Sequence, residues 1–304
     1  MLARQNPDWE AKFRRWAVGP AQTETERCER AVDAIKKAIA ASRALAGRQI
    51  EVFAKGSYAN RTNVRGDSDV DVAVFHQDTY FYDYPAGVTD AQTGTVLADY
   101  LYPTFRDETA AALVARFGAA HVRAGNKALN IHENTYRIDA DAVPCFGFRQ
   151  YYRYGISLYY HEGIALQPRD GSALVTSFPK QQYANGVAKN DATGREFKRL
   201  VRIVKNLRTE MAEAGNAAAT PIPSYLIESL AWNYPNELFP AYNTWTALVK
   251  AFLSHIWNTT SNDFGCATYM EVNNIKPLFT PSQGWTRAQV NDFALQALVH
   301  LGGL

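Results

Sequence analysis

Two aspartates spaced two residues apart are the strongest chemical signal in the sequence. They alternate with apolar residues in the order Asp69, Val70, Asp71, Val72, Ala73 and Val74, a period of two that is typical of a half-buried β-strand. Because side chains two apart on a strand point to the same face, both carboxylates should face one solvent pocket while the valines face a core. Like charges this close repel, and a divalent metal ion between them is the usual way to keep both ionised. The pattern therefore predicts a phosphoryl- or nucleotidyl-transfer site.

A further acidic residue, Asp67, lies two residues before Asp69. On a continuous strand it would face the same side as the pair, so it could in principle replace one of its members. Valines interleave only from position 70 onward, whereas Gly66 and Ser68 are typical of a turn. The strand is therefore predicted to begin at Asp69, and Asp67 is interpreted as a turn or capping carboxylate.

A Gly-Ser pair at residues 56 and 57 lies upstream of the acidic strand. Glycine allows the backbone to approach a phosphate closely, neighbouring amides can donate to phosphate oxygens, and the Ser57 hydroxyl adds another donor. An ordinary hairpin with an acidic strand start would have the same residues. The combination of the Gly56-Ser57 turn, the aspartate pair and a third acid favours a functional site over that hairpin.

The third acid is expected on an adjacent strand, where Asp139 and Asp141 compete for the role. Both have the same parity and so face the same side. Asp141 is followed by Ala142, Val143 and Pro144 and lies where a strand leaves the pocket, so it is preferred and Asp139 is the second choice. An exposed acid on a two-faced strand is the common fate of either residue taken alone.

Two metal ions held by Asp69, Asp71 and Asp141 would have distinct tasks in an in-line displacement. One would lower the pKa of an attacking hydroxyl, and the other would bridge the phosphates of the incoming nucleotide and stabilise the leaving pyrophosphate. Positioning and charge neutralisation would then supply most of the catalysis.

Hydrophobic periodicity and turn residues outline the elements that must position these side chains. Helical spacing predicts helices over residues 22–45, 95–117, 195–214, 224–233, 242–257 and 286–301. Strand patterns predict strands over 49–54, 69–75, 127–131 and 136–145, the last two as antiparallel neighbours, and a hairpin within 164–177. Residues 185–194 are predicted to form a polar link. A mostly helical second half begins after Pro179.

The helix predicted over 195–214 is basic and amphipathic. Its apolar stripe consists of Phe197, Val201, Val204, Leu207 and Met211, and its basic face of Lys198, Arg202 and Lys205. A solvated charged face is the simplest interpretation of such a helix. The need for cations opposite a triphosphate instead favours Lys205 as a phosphate contact. Tyr225 could stack on a base, although aromatic side chains are more often part of a core.

Length and composition narrow the class of protein. The 304 residues suit two closely packed domains, and the formal net charge of +2 leaves no global basic field. Three widely spaced cysteines argue against a zinc knuckle and a disulfide framework. The sequence has neither a secretion signal nor an apolar run long enough to span a bilayer. We expect a soluble cytoplasmic protein.

In order and spacing, these residues resemble the cGAS/DncV-like nucleotidyltransferases (CD-NTases), which are bacterial relatives of cGAS and oligoadenylate synthase in the polymerase-β-like superfamily. The matching segments are 55–62 (KGSYANRT), 69–71 (DVD), 141–144 (DAVP), 197–208 (FKRLVRIVKNLR) and 223–228 (PSYLIE). The resemblance implies an α+β fold. It has a mixed-sheet catalytic lobe over 1–180, including the long N-terminal helix, and a helical lobe over 181–304 like that of oligoadenylate synthase. Nucleoside triphosphates would bind between the lobes.

The resemblance also implies an activity. The family joins two or three nucleotides into a cyclic oligonucleotide without a template and releases pyrophosphate, and in bacteria the product activates an effector in anti-phage defence (CBASS). The implied roles are two Mg²⁺ or Mn²⁺ ions on Asp69, Asp71 and Asp141, a phosphate cradle at Gly56 and Ser57, triphosphate contacts from Lys205 and Ser224, base stacking by Tyr225, and base selection by Ser177.

Expected partners are nucleoside triphosphates and CBASS ancillary or effector proteins, with no membrane. The zinc-binding insertion of the animal sensor has no counterpart, since the sequence lacks a Cys/His cluster, so double-stranded DNA is not expected as an activator. Two other hypotheses stay open at this point. One is a polymerase-β-like transferase that adds nucleotides to an RNA end or a small acceptor, and the other is a nucleotide-binding module without turnover.

Overall fold

A mixed β-sheet carries the acidic strand. The computed structural model describes residues 8–64, 69–132 and 139–302, and within them the strands are β1 (Ile50–Ala54), β2 (Val70–Asp83), β3 (Val122–Ala124), β4 (Leu129–Ile131), β5 (Ala140–Tyr154), β6 (Ser157–Leu166) and β7 (Val175–Ser177). Their order across the sheet is β1-β2-β5-β4-β3, with β6 paired to β5 and β7 paired to β6. β2 and β5 run parallel, and the other pairs are antiparallel.

The helices account for most of the remaining described chain. They are α1 (Trp9–Ala17), α2 (Gln22–Ala40), α3 (Gly56–Ala59), α4 (Asp90–Thr93), α5 (Tyr102–Phe117), α6 (Pro179–Ala192), α7 (Glu196–Glu213), α8 (Ser224–Asn233), α9 (Trp245–Thr259) and α10 (Arg287–His300). None of the helices in the described ranges is long and apolar enough to cross a lipid bilayer.

These elements form two compact units. The sheet unit consists of residues 21–59, 69–132 and 139–180, and the helical unit consists of residues 8–20, 60–64 and 181–302. Two segments from the first 180 residues, 8–20 and 60–64, therefore pack in the helical unit together with residues 181–302.

The core of the sheet unit explains which face the aspartates occupy. Val70, Val72 and Val74 are fully buried in a large apolar cluster that includes residues of α2 and α5, as their alternation with Asp71 predicts. A second, smaller cluster contains Ala73 and Phe75, which share the parity of Asp71. The acidic residues therefore lie on the sheet face with the smaller apolar cluster.

The structure confirms one predicted strand pair and overturns one predicted link. The antiparallel pairing predicted for the strands near 127–131 and 136–145 is confirmed by β4 and β5, although residues 136–138 lie outside the described part of the chain. The polar link predicted over 185–194 is wrong, because most of it belongs to α6. That helix begins at Pro179, a favourable first-turn residue, and buries Gly186 and Lys189, so tertiary packing overrides the weak helical preference of Asn and Gly.

The helical unit packs around α7. The predicted apolar stripe of this helix is confirmed, since all five of its members are buried: Phe197, Val201, Val204, Leu207 and Met211. The same core takes in apolar side chains from α1, α8, α9 and α10.

The basic face of α7 is also buried, so its interpretation as a solvated face is wrong. Lys198 and Arg202 are 9% exposed and Lys205 is 1% exposed. The Arg202 guanidinium donates to the carbonyl oxygen of Ala17 from Nε at 2.9 Å and to that of Arg61 from Nη1 at 2.7 Å. The Lys205 ammonium donates to the Thr62 carbonyl oxygen at 2.9 Å. These cations fasten segments 8–20 and 60–64 to α7, and burial lowers the pKa of Arg202 to about 10.

Another buried cation, Lys189 on α6, caps the end of α8. Its Nζ donates to the Tyr234 carbonyl oxygen at 2.5 Å and lies over the rings of Trp232 and Phe239. Burial lowers the pKa of Lys189 from 10.5 to about 8, an effect that the nearby Glu237 carboxylate opposes. Between these two pH values the unfolded chain therefore binds a proton that the folded chain does not, and stability rises with pH.

We expect this one group to raise the free energy of unfolding by at most roughly 3 kcal/mol between pH 8 and 10.5. Urea unfolding of the wild type and of Lys189→Met across this range measures the difference, and the variant should lack the rise. Lys36→Met, at an exposed lysine, should keep the wild-type slope. Parallel pH curves for wild type and Lys189→Met would contradict the prediction.

Candidate active site

The parallel register of β2 and β5 brings two of the predicted acids side by side. Asp71 is directly opposite Asp141, and Val70 is opposite Ala140. Neighbouring residues in register share a sheet face, so the two carboxylates point to the same side. Asp69 and Asp139 come directly before the two strands, where the Val70 amide donates to the Asp139 carbonyl oxygen at 3.1 Å.

A cavity of about 430 Å³ opens at this end of the strands. It is lined by residues of both signs, among them Asp69, Asp139, Asp141, Arg123, Asn130 and His132. The side chains of the described residues do not by themselves converge into a cluster of three His, Cys, Asp or Glu groups around one point. Asp67, interpreted from the sequence as a turn residue, lies outside the described residues.

Gly56 lies close against the side chain of Asp71. Its φ of 68° lies in the left-handed region, and a Cβ placed on it would be 2.5 Å from Asp71 Oδ2. The Lys55 amide donates to the Asp71 carbonyl oxygen at 2.8 Å, and Lys55 Nζ lies 3.7 Å from Asp71 Oδ1. Only glycine fits this approach, because any side chain would displace the carboxylate. Ser57 follows within the single turn of α3.

Asp141 is oriented by a residue that the sequence prediction missed. Asn130, opposite it on β4, donates from Nδ2 to Asp141 Oδ1 at 2.5 Å. The signal was present in the sequence, since a single polar residue between Leu129 and Ile131 on a predicted strand must face away from the core. Lys55 was missed as well, although it directly precedes the Gly-Ser pair.

The remaining predicted site residues are distributed over both units. Ser177 is exposed at the end of β7 in the sheet unit. In the helical unit, Ser224 is the first residue of α8, and its hydroxyl accepts a hydrogen bond from Arg208 Nη2 at 3.1 Å. The Tyr225 hydroxyl donates to Glu271 Oε2 at 2.9 Å, and Lys205 contacts Thr62. The sheet unit thus gathers Gly56, Asp71 and Asp141, and the helical unit holds Lys205, Ser224 and Tyr225.

Comparison with known proteins gives this arrangement a family. The model of the cGAS/DncV-like nucleotidyltransferase C-terminal helical domain matches residues 184–302. The chain is 38% identical to a cyclic dipyrimidine nucleotide synthase CdnE of Legionella pneumophila, over 95% of this chain and 97% of that protein. It is 34% identical to the synthase of the same description from Cecembia lonarensis, over 94% and 96%.

A solved structure agrees. The CdnE c-UMP-AMP synthase of Rhodothermus marinus, determined with Apcpp and Upnpp, superposes with a TM-score of 0.82 at 29% identity and covers 97% of each chain. The α+β nucleotidyltransferase fold expected from the sequence is therefore confirmed. The chain belongs to the cGAS/DncV-like nucleotidyltransferase family.

Replacement of Gly56 tests whether the close approach to Asp71 matters for nucleotidyl transfer. We expect Gly56→Ala to reduce pyrophosphate release from nucleoside triphosphates by about 100-fold, because it must displace the Asp71 carboxylate. Gly171→Ala is the matched control, since Gly171 also has a positive φ of 74° but nothing within 4 Å of an added Cβ. Backbone strain should lower the free energy of unfolding of both variants by a similar amount, about 1–2 kcal/mol. Equal activity of the two variants would show that the approach is unimportant.

Proposed function

We propose that this protein is a template-independent nucleotidyltransferase that joins two or three nucleoside triphosphates into a cyclic oligonucleotide and releases pyrophosphate. One observation carries the proposal: Asp71 and Asp141 stand in register on parallel strands, with the Gly56 backbone against Asp71. Its support from relatives is that two proteins matching nearly the whole chain are described as cyclic dipyrimidine nucleotide synthases.

The acidic residues suit a hard divalent cation. Carboxylate oxygens are the ligands that Mg²⁺ and Mn²⁺ prefer, and Asp69 and Asp141 line a cavity with room for an ion and phosphate oxygens. We assign Asp69, Asp71 and Asp141 as the residues that would hold two such ions. When bound, the ions would supply charge neutralisation at the phosphates and a lower pKa for the attacking hydroxyl.

The protein's own groups would position the reactants. The hydroxyl of one nucleotide attacks the α-phosphate of another, and the new O–P bond replaces the bond to pyrophosphate. The Gly56 and Ser57 amides and the Ser57 hydroxyl would cradle the triphosphate. Lys55 would balance part of the negative charge of Asp71. Asn130 would keep the Asp141 carboxylate oriented.

The helical unit would contribute the other nucleotide contacts. We assign Ser224 to the triphosphate, Tyr225 to base stacking and, from the sheet unit, Ser177 to base selection. Lys205 is assigned to the triphosphate as well, but its ammonium contacts the Thr62 carbonyl oxygen. Its role therefore includes holding segment 60–64, which joins the Gly56 turn to the Asp69 strand along the chain.

In the cell, we propose that the cyclic product is a second messenger of anti-phage (CBASS) defence and that it acts on a separate effector protein. Two relatives are described as dipyrimidine synthases, so UTP and CTP are the first substrates to test.

The decisive experiment is identification of the product. We expect the wild type, incubated with the four nucleoside triphosphates and Mg²⁺ or Mn²⁺, to form a product that resists phosphatase and has the mass of a cyclic di- or trinucleotide. Asp69→Ala with Asp71→Ala should lower its yield by at least about 100-fold. Asp83→Ala, at an exposed aspartate at the far end of the same strand, should leave the yield unchanged.

The outcomes separate the alternative functions. A linear product that phosphatase degrades, or one attached to RNA or a small acceptor, would favour a transferase that extends an end. Tight nucleotide binding without pyrophosphate release would favour a binding module. Either result would overturn the proposed synthase.

Asn130 gives a separate test of how Asp141 is held. We expect Asn130→Ala to weaken Mn²⁺ binding, measured by calorimetry with the nucleotide present, and to lower turnover, each by about 10-fold, as for other residues that orient a metal ligand. Asn126→Ala is the control, because Asn126 Nδ2 donates to Asp170 at 2.8 Å in the same unit. Unchanged Mn²⁺ affinity in Asn130→Ala would remove Asn130 from the site.

A further inference from the structure

The Tyr225 hydroxyl is anchored inside the helical unit. Tyr225 lies in the first turn of α8, and its hydroxyl donates to Glu271 Oε2 at 2.9 Å. The Asn273 side chain donates to the same hydroxyl from Nδ2 at 3.2 Å. Glu271 and Asn273 are only 5% and 4% exposed. The phenol oxygen is therefore fixed from two directions by groups that are themselves buried.

Three neutral donors hydrogen-bond to the Glu271 carboxylate, which also interacts electrostatically with the Lys276 ammonium. Besides Tyr225, Asn273 Nδ2 donates to Oε2 at 2.6 Å and Gln283 Nε2 donates to Oε1 at 2.6 Å. A buried carboxylate needs such donors, because burial without them costs several kcal/mol. Hydrogen bonds to an ionised group are also shorter and stronger than neutral ones. The Tyr225 hydroxyl is thus held by one of the strongest acceptors that a protein offers.

The loop that carries these groups is braced by its own backbone. The Asn273 side-chain oxygen accepts from the amides of Ile275 and Lys276 at 2.8 and 3.0 Å. The Glu271 amide donates to the Lys276 carbonyl oxygen at 2.9 Å, and the Asn274 amide donates to the Glu271 carbonyl oxygen at 2.8 Å. Glu271 and Asn273 therefore present their side chains from a tight turn with little freedom to move.

A buried carboxylate is a costly way to pack a helix. An apolar side chain would stabilise the start of α8 without the desolvation of a charge. What the carboxylate adds is direction. Because a phenol O–H bond prefers to lie in the plane of its ring, an acceptor and a donor at that oxygen, Glu271 and Asn273, fix the ring plane as well as the oxygen. Burial and the Glu271 carboxylate also raise the pKa of Tyr225, so the hydroxyl keeps its proton even above the ordinary tyrosine range.

We propose that Glu271 and Asn273 are positioning residues that fix the plane of the Tyr225 ring as a stacking platform for a substrate nucleobase. This inference rests on the proposed function, which assigns Tyr225 to the base. The ring touches the base, while Glu271 and Asn273 act only through the ring. A fixed ring loses less conformational entropy when a base stacks on it, which favours nucleotide binding.

The test compares nucleotide affinity among variants that keep the ring. Tyr225→Phe removes only the hydroxyl, and Glu271→Gln places a donor amide where three donors already point. We expect each variant to raise the dissociation constants of α,β-imido UTP and α,β-methylene ATP by about 10-fold. The KM values of UTP and ATP should rise by about the same factor, with kcat changed less than about 3-fold. Because both changes break one link, the double variant should be no worse than either single variant.

Two controls separate positioning from stability. Tyr269→Phe removes another partly buried hydroxyl of the helical unit, one that donates to Thr259 Oγ1 at 2.8 Å. It should lower the melting temperature about as much as Tyr225→Phe without changing nucleotide affinity. Tyr225→Ala removes the ring and should weaken binding more than Tyr225→Phe does. If Glu271→Gln fails to fold, Tyr225→Phe carries the test alone.

The results separate this inference from the proposed function. Wild-type affinity in Tyr225→Phe and Glu271→Gln, together with weak binding by Tyr225→Ala, would overturn the anchoring role and leave the stacking role intact. Wild-type affinity in Tyr225→Ala would overturn both roles of Tyr225 without affecting the synthase. A wild-type protein that neither binds nucleotides nor forms a cyclic product would overturn the proposed function and this inference with it.

Discussion

The burial of cations on α7 is the constraint on which the helical unit depends. A cation away from water must be compensated by dipoles or opposite charge, and here backbone carbonyl oxygens contribute that compensation. Arg202 spans residues 17 and 61, and Lys205 reaches residue 62. Glu228 completes the arrangement from α8, because its carboxylate accepts from Thr62 at 2.8 Å and from Gln182 at 3.0 Å. Two segments distant in sequence are thus made part of the helical core.

Segment 60–64 connects this packing to the proposed site along the chain. The chain leaves the sheet unit at residue 59, passes through the helical unit over 60–64 and is back in the sheet unit by residue 69. Gly56 and Asp69 lie on either side of that excursion. Polar contacts made by α7 and α8 therefore restrain the segment between the proposed phosphate cradle and the acidic strand. A buried, directional network is well suited to this, because an apolar contact would hold the segment with less positional specificity.

What the sequence could predict was limited by how far each signal extends along the chain. The alternation around Asp69 and Asp71 is local, so the buried valines and the acidic face followed directly from it. The register that places Asp141 beside Asp71 depends on residues 70 positions away, and sequence pattern alone left Asp139 as an alternative. The basic face of α7 was misinterpreted because periodicity reports that a face is polar, and only tertiary structure shows whether protein or water covers it. The contact of Asn130 with Asp141 was not predicted, because one polar residue on a short strand is a weak signal.

The two units place their proposed site residues by different physical means. In the sheet unit, strand register and the missing side chain of Gly56 fix the aspartates, so backbone geometry sets their positions. In the helical unit, Tyr225 depends on a side-chain network whose centre is the buried Glu271. Backbone register tolerates little change, because a shift of one residue moves every side chain to the other face. A side-chain network can be altered one residue at a time. We therefore infer that the positions of the proposed catalytic aspartates tolerate the least change, whereas nucleotide affinity can be altered through contacts such as that of Glu271 with Tyr225.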